Sequence, residues 1–289
     1  MNTAVLKQSV LILMSSVLMV SGGPSIADID PAYAVIQQAM RSYGGKVNWA
    51  GKGTLVVHES QTRYEEAGTV EVKIVHYMDI NAKGYRVELD RGQGKQVYGW
   101  DGDQFWAMAD GKPGDEALVS EARRVITDAF YRFSLPFILD EPGVEVEYQG
   151  KESVSGVETQ VVRFTYEVAP ASRNWTTSED RHEQEAGHGG DGDEQAGHGA
   201  EEGDHHAGRQ VYNYYFDTDY RIVKIYFSHH GDDTYETLLL GDYKNIDGIV
   251  KEHTRKLLRP DGNSHYDVVF TSIVFRLDIG ADFYKRPGS

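Results

Sequence analysis

Histidines interleaved with carboxylates are the residues best suited to chemistry in this chain, and they are concentrated in one place. Residues 181–208, RHEQEAGHGGDGDEQAGHGAEEGDHHAG, hold five of the eleven histidines: His182, His188, His198, His205 and His206. The stretch has no Val, Ile, Leu or aromatic residue. Neutral imidazoles with carboxylates between them suit Zn²⁺, Cu²⁺ or Ni²⁺, which favour nitrogen ligands. Ala186-Gly187-His188-Gly189 returns as Ala196-Gly197-His198-Gly199, and His205-His206-Ala207-Gly208 closes the run. Such a segment cannot bury enough apolar area to offset ordering entropy, so the sequence predicts a low-complexity hairpin loop with an adaptable metal site. The simpler account is a solvated acidic linker whose histidines meet metal only incidentally. The GGDGDE run is a single glycine–aspartate copy that breaks at Glu194, so calcium has weak support.

No catalytic arrangement accompanies it. G-x-S-x-G, H-E-x-x-H and G-x-x-x-x-G-K-[ST] are absent from the sequence. Gly92-Gln93-Gly94 is explained by a turn. Glu252-His253, and His229-His230 beside Asp232-Asp233, have no nucleophile at partner spacing and read as exposed strand ends and a polar turn. With no cysteine in the chain, disulfides, thiolate metal sites and Cys nucleophiles are excluded. The expectation is a protein without catalysis and without a required cofactor, zinc being the metal the loop would take.

The elements that would position any site lie outside that loop. The 289 residues are 40% hydrophobic, ample for a core, and carry a net charge of −16. Between Glu179 and Asp204 ten acids face Arg181 alone, so this segment contributes −9 and the rest −7. An acidic body has no electrostatic reason to bind nucleic acid or an anionic membrane. Residues 1–27 read as a secretory signal: Lys7, an apolar run from Ser9 to Val20, then small residues at Ser25 and Ala27. The run is too short for a bilayer core, which needs about 20 residues. The expected product is a soluble exported protein starting at Asp28, a single domain over 28–289 interrupted by the loop at 179–208.

Asp30-Pro31 predicts a helix start, with Tyr33, Ile36, Met40 and Tyr43 at helical spacing and Gly44-Gly45 as its end. A second helix is expected from about Asp115 to Phe133, with Leu118, Ala122, Val125, Ile126, Ala129 and Phe133 on one face. Elsewhere the period is two, as in Val70, Val72 and Ile74 alternating with Thr69, Glu71 and Lys73. Strands are expected near 46–58, 84–90, 95–100, 103–109, 144–150, 157–168, 209–217, 221–228, 234–245, 249–258 and 264–275, separated by turns such as NAKG, RGQG and PDGN. Roughly eleven short strands with two amphipathic helices and no βαβ alternation predict one antiparallel meander. Val70, Val72, Ile74, Val87, Leu89, Phe164, Tyr166, Val223, Ile225 and Phe227 would form its apolar face, packing a filled core or lining a cavity.

Five fragments in order resemble the periplasmic lipoprotein-carrier superfamily, the LolA/LolB-like outer-membrane lipoprotein-sorting proteins. They are Asp101-Gly102-Asp103-Gln104-Phe105-Trp106, Phe133-Ser134-Leu135-Pro136, Tyr215-Phe216-Asp217, Gly241-Asp242-Tyr243 through Asp247-Gly248-Ile249, and Asp282-Phe283 to Pro287. The sequence departs where many relatives have a proline after DGI, since Val250-Lys251-Glu252 stands here, and the histidine-rich insert is foreign to the pattern. The resemblance implies an incomplete, half-open antiparallel β-barrel whose helices form a lid over an apolar cavity lined by the ten residues above. It also implies that Arg86 holds the lid closed. The function implied is a periplasmic, non-catalytic carrier of a lipid or of a lipoprotein's acyl chains, monomeric, exchanging cargo with inner- and outer-membrane partners. The rival is a periplasmic zinc, copper or nickel delivery protein built around the histidine loop.

Overall fold

The computed structural model describes residues 30–81, 84–92, 94–166, 210–228, 235–277 and 279–288. Residues 1–27, expected to be an export signal, and the histidine-rich stretch, with His182, His188, His198, His205 and His206, lie outside the described residues, as do His229-His230 and Asp232-Asp233. Among the described residues no helix is long and apolar enough to cross a membrane.

Helix α1 (Pro31–Ser42) buries Ala32, Val35, Ile36, Ala39 and Met40. This stripe at i, i+3, i+4, i+7 and i+8 takes the whole inward face. Tyr33, expected to face inward, sits one position round the helix and is 43% exposed. The chain then turns through Gly44 and Gly45, both at positive φ, into the short helix α2 (Lys46–Ala50). A strand was expected from residue 46, but the glycine turn and Trp49, which is buried, commit these five residues to a helical turn. A Cβ on Gly44 would stand 2.0 Å from the Gly248 carbonyl oxygen, so only glycine lets the two loops meet.

From there the alternation becomes strand. Strands β1 (Thr54–Glu65), β2 (Gly68–Asp79), β3 (Tyr85–Asp90), β4 (Lys95–Trp100), β5 (Phe105–Ala109) and β6 (Lys112–Pro113) form a meander, each antiparallel to the one before. Helix α3 (Glu116–Ser134) follows, its first turn capped by the Asp115 side chain, which accepts from the Leu118 N–H. The second half supplies β7 (Glu145–Val154), β8 (Val157–Tyr166), β9 (Gln210–Phe216), β10 (Ile222–Ser228), β11 (Tyr235–Gly241), β12 (Lys244–Ile246), β13 (Ile249–Lys251), β14 (Thr254–Leu258) and β15 (Ser264–Arg276). A 3-10 turn at Ala281–Tyr284 closes the described chain.

Thirteen strands form one sheet in the order β6-β5-β4-β3-β2-β1-β15-β14-β11-β10-β9-β8-β7, and β12-β13 is a separate hairpin. Among the described residues the sheet has two free edges, β6 and β7, so the barrel stays open. This is the mainly β, half-open architecture expected, with two corrections. The strands expected at 234–245 and 249–258 each break in two, where Asp242 takes a positive φ and where Glu252-His253 turn inward. The order is also not one continuous meander, because β15 inserts between β14 and β1 and joins two half-sheets. Helix α3 is the link between β6 at one edge and β7 at the other.

Two apolar clusters lie on the inner face. The first joins Ala122, Ile126, Ala129, Phe130 and Phe133 of α3 to Val72, Ile74, Val87, Leu89, Tyr98 and Ala107. The second joins α1 to Val162, Phe164, Tyr166, Tyr214, Phe216 and Ile225. Tyr266 packs against both.

Candidate functional site

The inner surface beneath α3 is built from one face of each of three strands. In β1 and β2 the register pairs Glu59 with Ile74, Gln61 with Val72 and Arg63 with Val70. In β3, Leu89 pairs with Ile74 and Val87 with His76. Inward alternation therefore places an apolar floor (Val72, Ile74, Val87, Leu89) beside a polar row (Glu59, Gln61, Arg63). The apolar stripe of α3 seats on that floor. Fully burying one such aliphatic or aromatic side chain is worth about 1.5–3 kcal/mol.

The C-terminal end of α3 is held by charge. Lys251 at the end of β13 donates from Nζ to the Phe133 carbonyl at 2.8 Å and to the Leu135 carbonyl at 3.3 Å. Arg255 in β14 donates to the Arg132 carbonyl at 3.3 Å. Terminal carbonyls of a helix lack intrahelical partners and carry the negative end of its dipole, so two cations there complete both needs. Lys251 and Arg255 are buried. Glu252 neutralises them, accepting from Arg255 Nε at 2.9 Å and lying 4.0 Å from Lys251 Nζ. The Arg255 guanidinium also stands 4.9 Å from the Phe133 and Phe270 ring centres. Burial pushes the Lys251 ammonium down to about 8 against the help of Glu252. Burial works against the Glu252 carboxylate, yet Arg255 and Lys251 together hold its pKa below the ordinary value. Glu252-His253, expected at an exposed strand end, is buried, because this triplet turns under α3. The departure at Val250-Lys251-Glu252 is where the helix is anchored.

A cavity of about 170 Å³ opens between α3 and strands β1–β3, β14 and β15. It is charged rather than apolar: Arg63, Arg91, Arg124, Arg132 and Arg255 face Glu59, Glu121 and Asp128 around it. His76, buried on β2, bonds through Nδ1 to the Tyr85 hydroxyl at 3.1 Å, and its Nε2 lies 3.3 Å from Glu59 Oε2 without hydrogen-bond geometry. Burial opposes the Glu59 charge, but His76, Arg132 and Arg255 outweigh it and lower its pKa.

Of the ten apolar residues expected at a cavity, only Ile74 and Leu89 line this one. Val72 and Val87 lie in the first cluster, with Val70 packed against it. Phe164, Tyr166 and Ile225 lie in the second, with Phe227 against it, and Val223 is half-buried in neither. Arg86 stands apart from α3. On β3 it alternates with the inward Tyr85 and Val87, so it points to the other face, pairs with Glu88 at 2.9 Å and stacks on Phe283 at 5.0 Å. Arginines that do touch the helix are Arg91, which pairs with Glu121 at 3.2 Å, and Arg255, which donates to the Arg132 carbonyl at its end. Sequence reasoning missed Lys251, Arg255 and the cavity arginines; the lone signal was Val250-Lys251-Glu252 where many of the carriers that the sequence resembles have a proline. Among the described residues no group of three or more His, Asp or Glu could hold a metal ion.

No protein-family model matches the sequence, and no curated protein matches it. Solved structures do. A DUF1329 family protein from Desulfovibrio piger superposes with a TM-score of 0.54 at 11% identity, over 89% of this chain and 98% of that one. A LolA superfamily protein from Nitrosomonas europaea gives 0.52 at 8% identity, over 88% and 97%. With its open antiparallel sheet and α3 laid across the inner face, this chain has a LolA-like fold.

Proposed function

We propose that this protein is an exported, non-catalytic carrier that holds the acyl chains of a lipid or an acylated protein on the inner face of its sheet, under α3. The supporting observation is the mounting of α3: an amphipathic helix on an apolar strand floor, fixed at its end by the polar contacts of Lys251 and Arg255. A cover of that kind separates from its floor as a unit, and the surface it leaves suits hydrocarbon, at about 0.8 kcal/mol per buried CH₂. Val70, Val72, Ile74, Val87 and Leu89 would form the acyl face, with Phe164, Tyr166, Ile225 and Phe227 extending it below α1. The carrier would leave the cytoplasm by the 1–27 signal and exchange cargo with membrane partners. The histidine-rich segment would add zinc binding that cargo binding does not need.

The test is organic extraction of the purified full chain followed by mass spectrometry. Recovery of a lipid in near-stoichiometric amount is expected. A preparation that holds no lipid and takes up none from mixed vesicles overturns the reading.

A further inference from the structure

The cavity under α3 has more positive charge than its own carboxylates answer. Glu121 takes Arg91 at 3.2 Å, Asp128 takes Arg132 at 2.5 Å, and Glu252, behind the wall, takes Arg255. Glu59 is occupied by His76. Among the described residues, Arg63 and Arg124 have no carboxylate within ion-pair distance; Arg63 donates only to the neutral Gln61 oxygen, at 2.6 Å. Burial, and after it the neighbouring Arg91, lower the Arg63 pKa. In a chain of net charge −16 this is a local reversal of sign.

The hydrogen-bond inventory points the same way. Buried polar atoms are almost always partnered, and each exception asks for an explanation. Four buried side-chain atoms among the described residues have no hydrogen-bond partner, and three of them, His76 Nε2, Arg91 Nε and Arg132 Nε, belong to residues lining this cavity. His76 Nε2 faces Glu59 at 3.3 Å, which leaves the two arginine Nε–H groups as the donors free for a ligand. A cavity of roughly 150 Å³ admits a benzene-sized molecule, so about 170 Å³ has room for a tetrahedral oxyanion.

We propose that this cavity binds a phosphate-type oxyanion, held chiefly by Arg63, Arg91 and Arg124, and that the anion is the headgroup of the carried lipid. The site stands on the arginines and the unpartnered donors; only the lipid source of the anion rests on the carrier reading. Guanidinium groups suit this ligand because their paired N–H groups match phosphate oxygens two at a time. Glu59, Glu121 and Asp128 do not repel it decisively, since each already faces a cationic or donor partner. The acyl chains would then run from the charged pocket onto Ile74 and Leu89, which line it, and along the floor beyond.

The experiment titrates the full chain, freed of lipid, with dihexanoyl phosphatidic acid, dihexanoylglycerol and inorganic phosphate, in wild type and in Arg63→Gln and Arg124→Gln. Arg124 is exposed, so its variant tests the charge without risk to the fold. Phosphatidic acid is expected to bind at least tenfold tighter than the uncharged lipid, and each substitution to weaken it about tenfold or more. Inorganic phosphate binding as tightly, with the same arginine dependence, supports the oxyanion site and overturns the lipid source. Equal binding of the two lipids, or variants that bind phosphatidic acid like wild type, overturns the proposal. Arginine-independent binding by a protein that yields lipid on extraction removes the anion site and keeps the carrier. Arginine-dependent phosphate binding by a protein without lipid does the reverse.

Discussion

Replacing Lys251 by methionine separates two opposed effects that the structure places on one side chain. The ammonium is 1% exposed and donates to the last carbonyls of α3, yet its pKa is pushed down from 10.5 to about 8. A depressed base means that the unfolded chain binds the proton more tightly than the folded one. Between pH 8 and 10.5 the unfolded state therefore carries more protons, and stability rises with pH across that window. Below about pH 8 the burial penalty is fully expressed. It amounts to about 3 kcal/mol at 1.36 kcal/mol for each pH unit, of which roughly 2–3 kcal/mol is relieved between pH 7 and pH 10. Lys251→Met removes the buried charge but leaves the Phe133 and Leu135 carbonyls without their donor, at about 1–3 kcal/mol each. At pH 7 the two effects nearly offset, and the variant should sit close to wild type. At pH 10 wild type has shed the penalty, and the variant should be less stable by roughly 2–3 kcal/mol more than at pH 7. Tyrosine ionisation affects both proteins alike and cancels in the difference. Urea unfolding followed by tryptophan fluorescence at the two pH values measures it. A difference between variant and wild type that does not change with pH would refute the desolvated ammonium.

Other outcomes follow from the same geometry. Phe133→Ala, which empties the contact with His76, Phe270 and Arg255, should lower stability by about 3–5 kcal/mol in denaturant titration. Gly44→Ala sets a Cβ against the Gly248 carbonyl at a φ of 108° and should lose about 1–3 kcal/mol, read by thermal unfolding. Arg86→Leu removes a pair with a half-exposed glutamate and a ring contact away from α3, so lipid release should stay unchanged and stability should shift by less than about 1 kcal/mol. Deleting residues 179–207 should abolish zinc binding while lipid binding persists. In the full chain calorimetric titration should show zinc binding weaker at pH 5.5 than at 7.5, as imidazoles of ordinary pKa about 6.5 protonate.

Local pattern carried much of the fold into view. The apolar stripe of α3 and its Asp115 cap lie within one continuous segment, and so do the hairpins with two-residue alternation; periodicity reads such features directly. Helix α2 was hidden because Lys46–Ala50 is too short for a period, and its shape is imposed by Gly44-Gly45 and by the burial of Trp49. The insertion of β15 beside β1 has no local signature at all, since residues 54–65 and 264–276 meet only through register. The charged cavity was illegible for the same reason. Arg63, Arg91, Arg124 and Arg255 each look like a solvent-facing arginine on its own element, and only tertiary packing turns them toward one another. Lys251 and Glu252 would be expected outside on polarity alone; they are inside because a helix end needs them there.

The seam between β1 and β15 also sets the order in which the molecule can assemble. Long-range pairings are slow to form because chain-closure entropy must be met before their contacts help. Strands β1 to β6 can zip locally, and β7 to β14 can do so separately, but β1 keeps an unpaired edge until Ser264–Arg276 has been synthesised. An unpaired edge beside an apolar face is a template for wrong partners. Joining residue 31 to residue 288 by a linker and opening the chain between β6 and α3 would turn that last, most distant pairing into a local one. Such a permutant should fold faster than the natural order while keeping the same sheet.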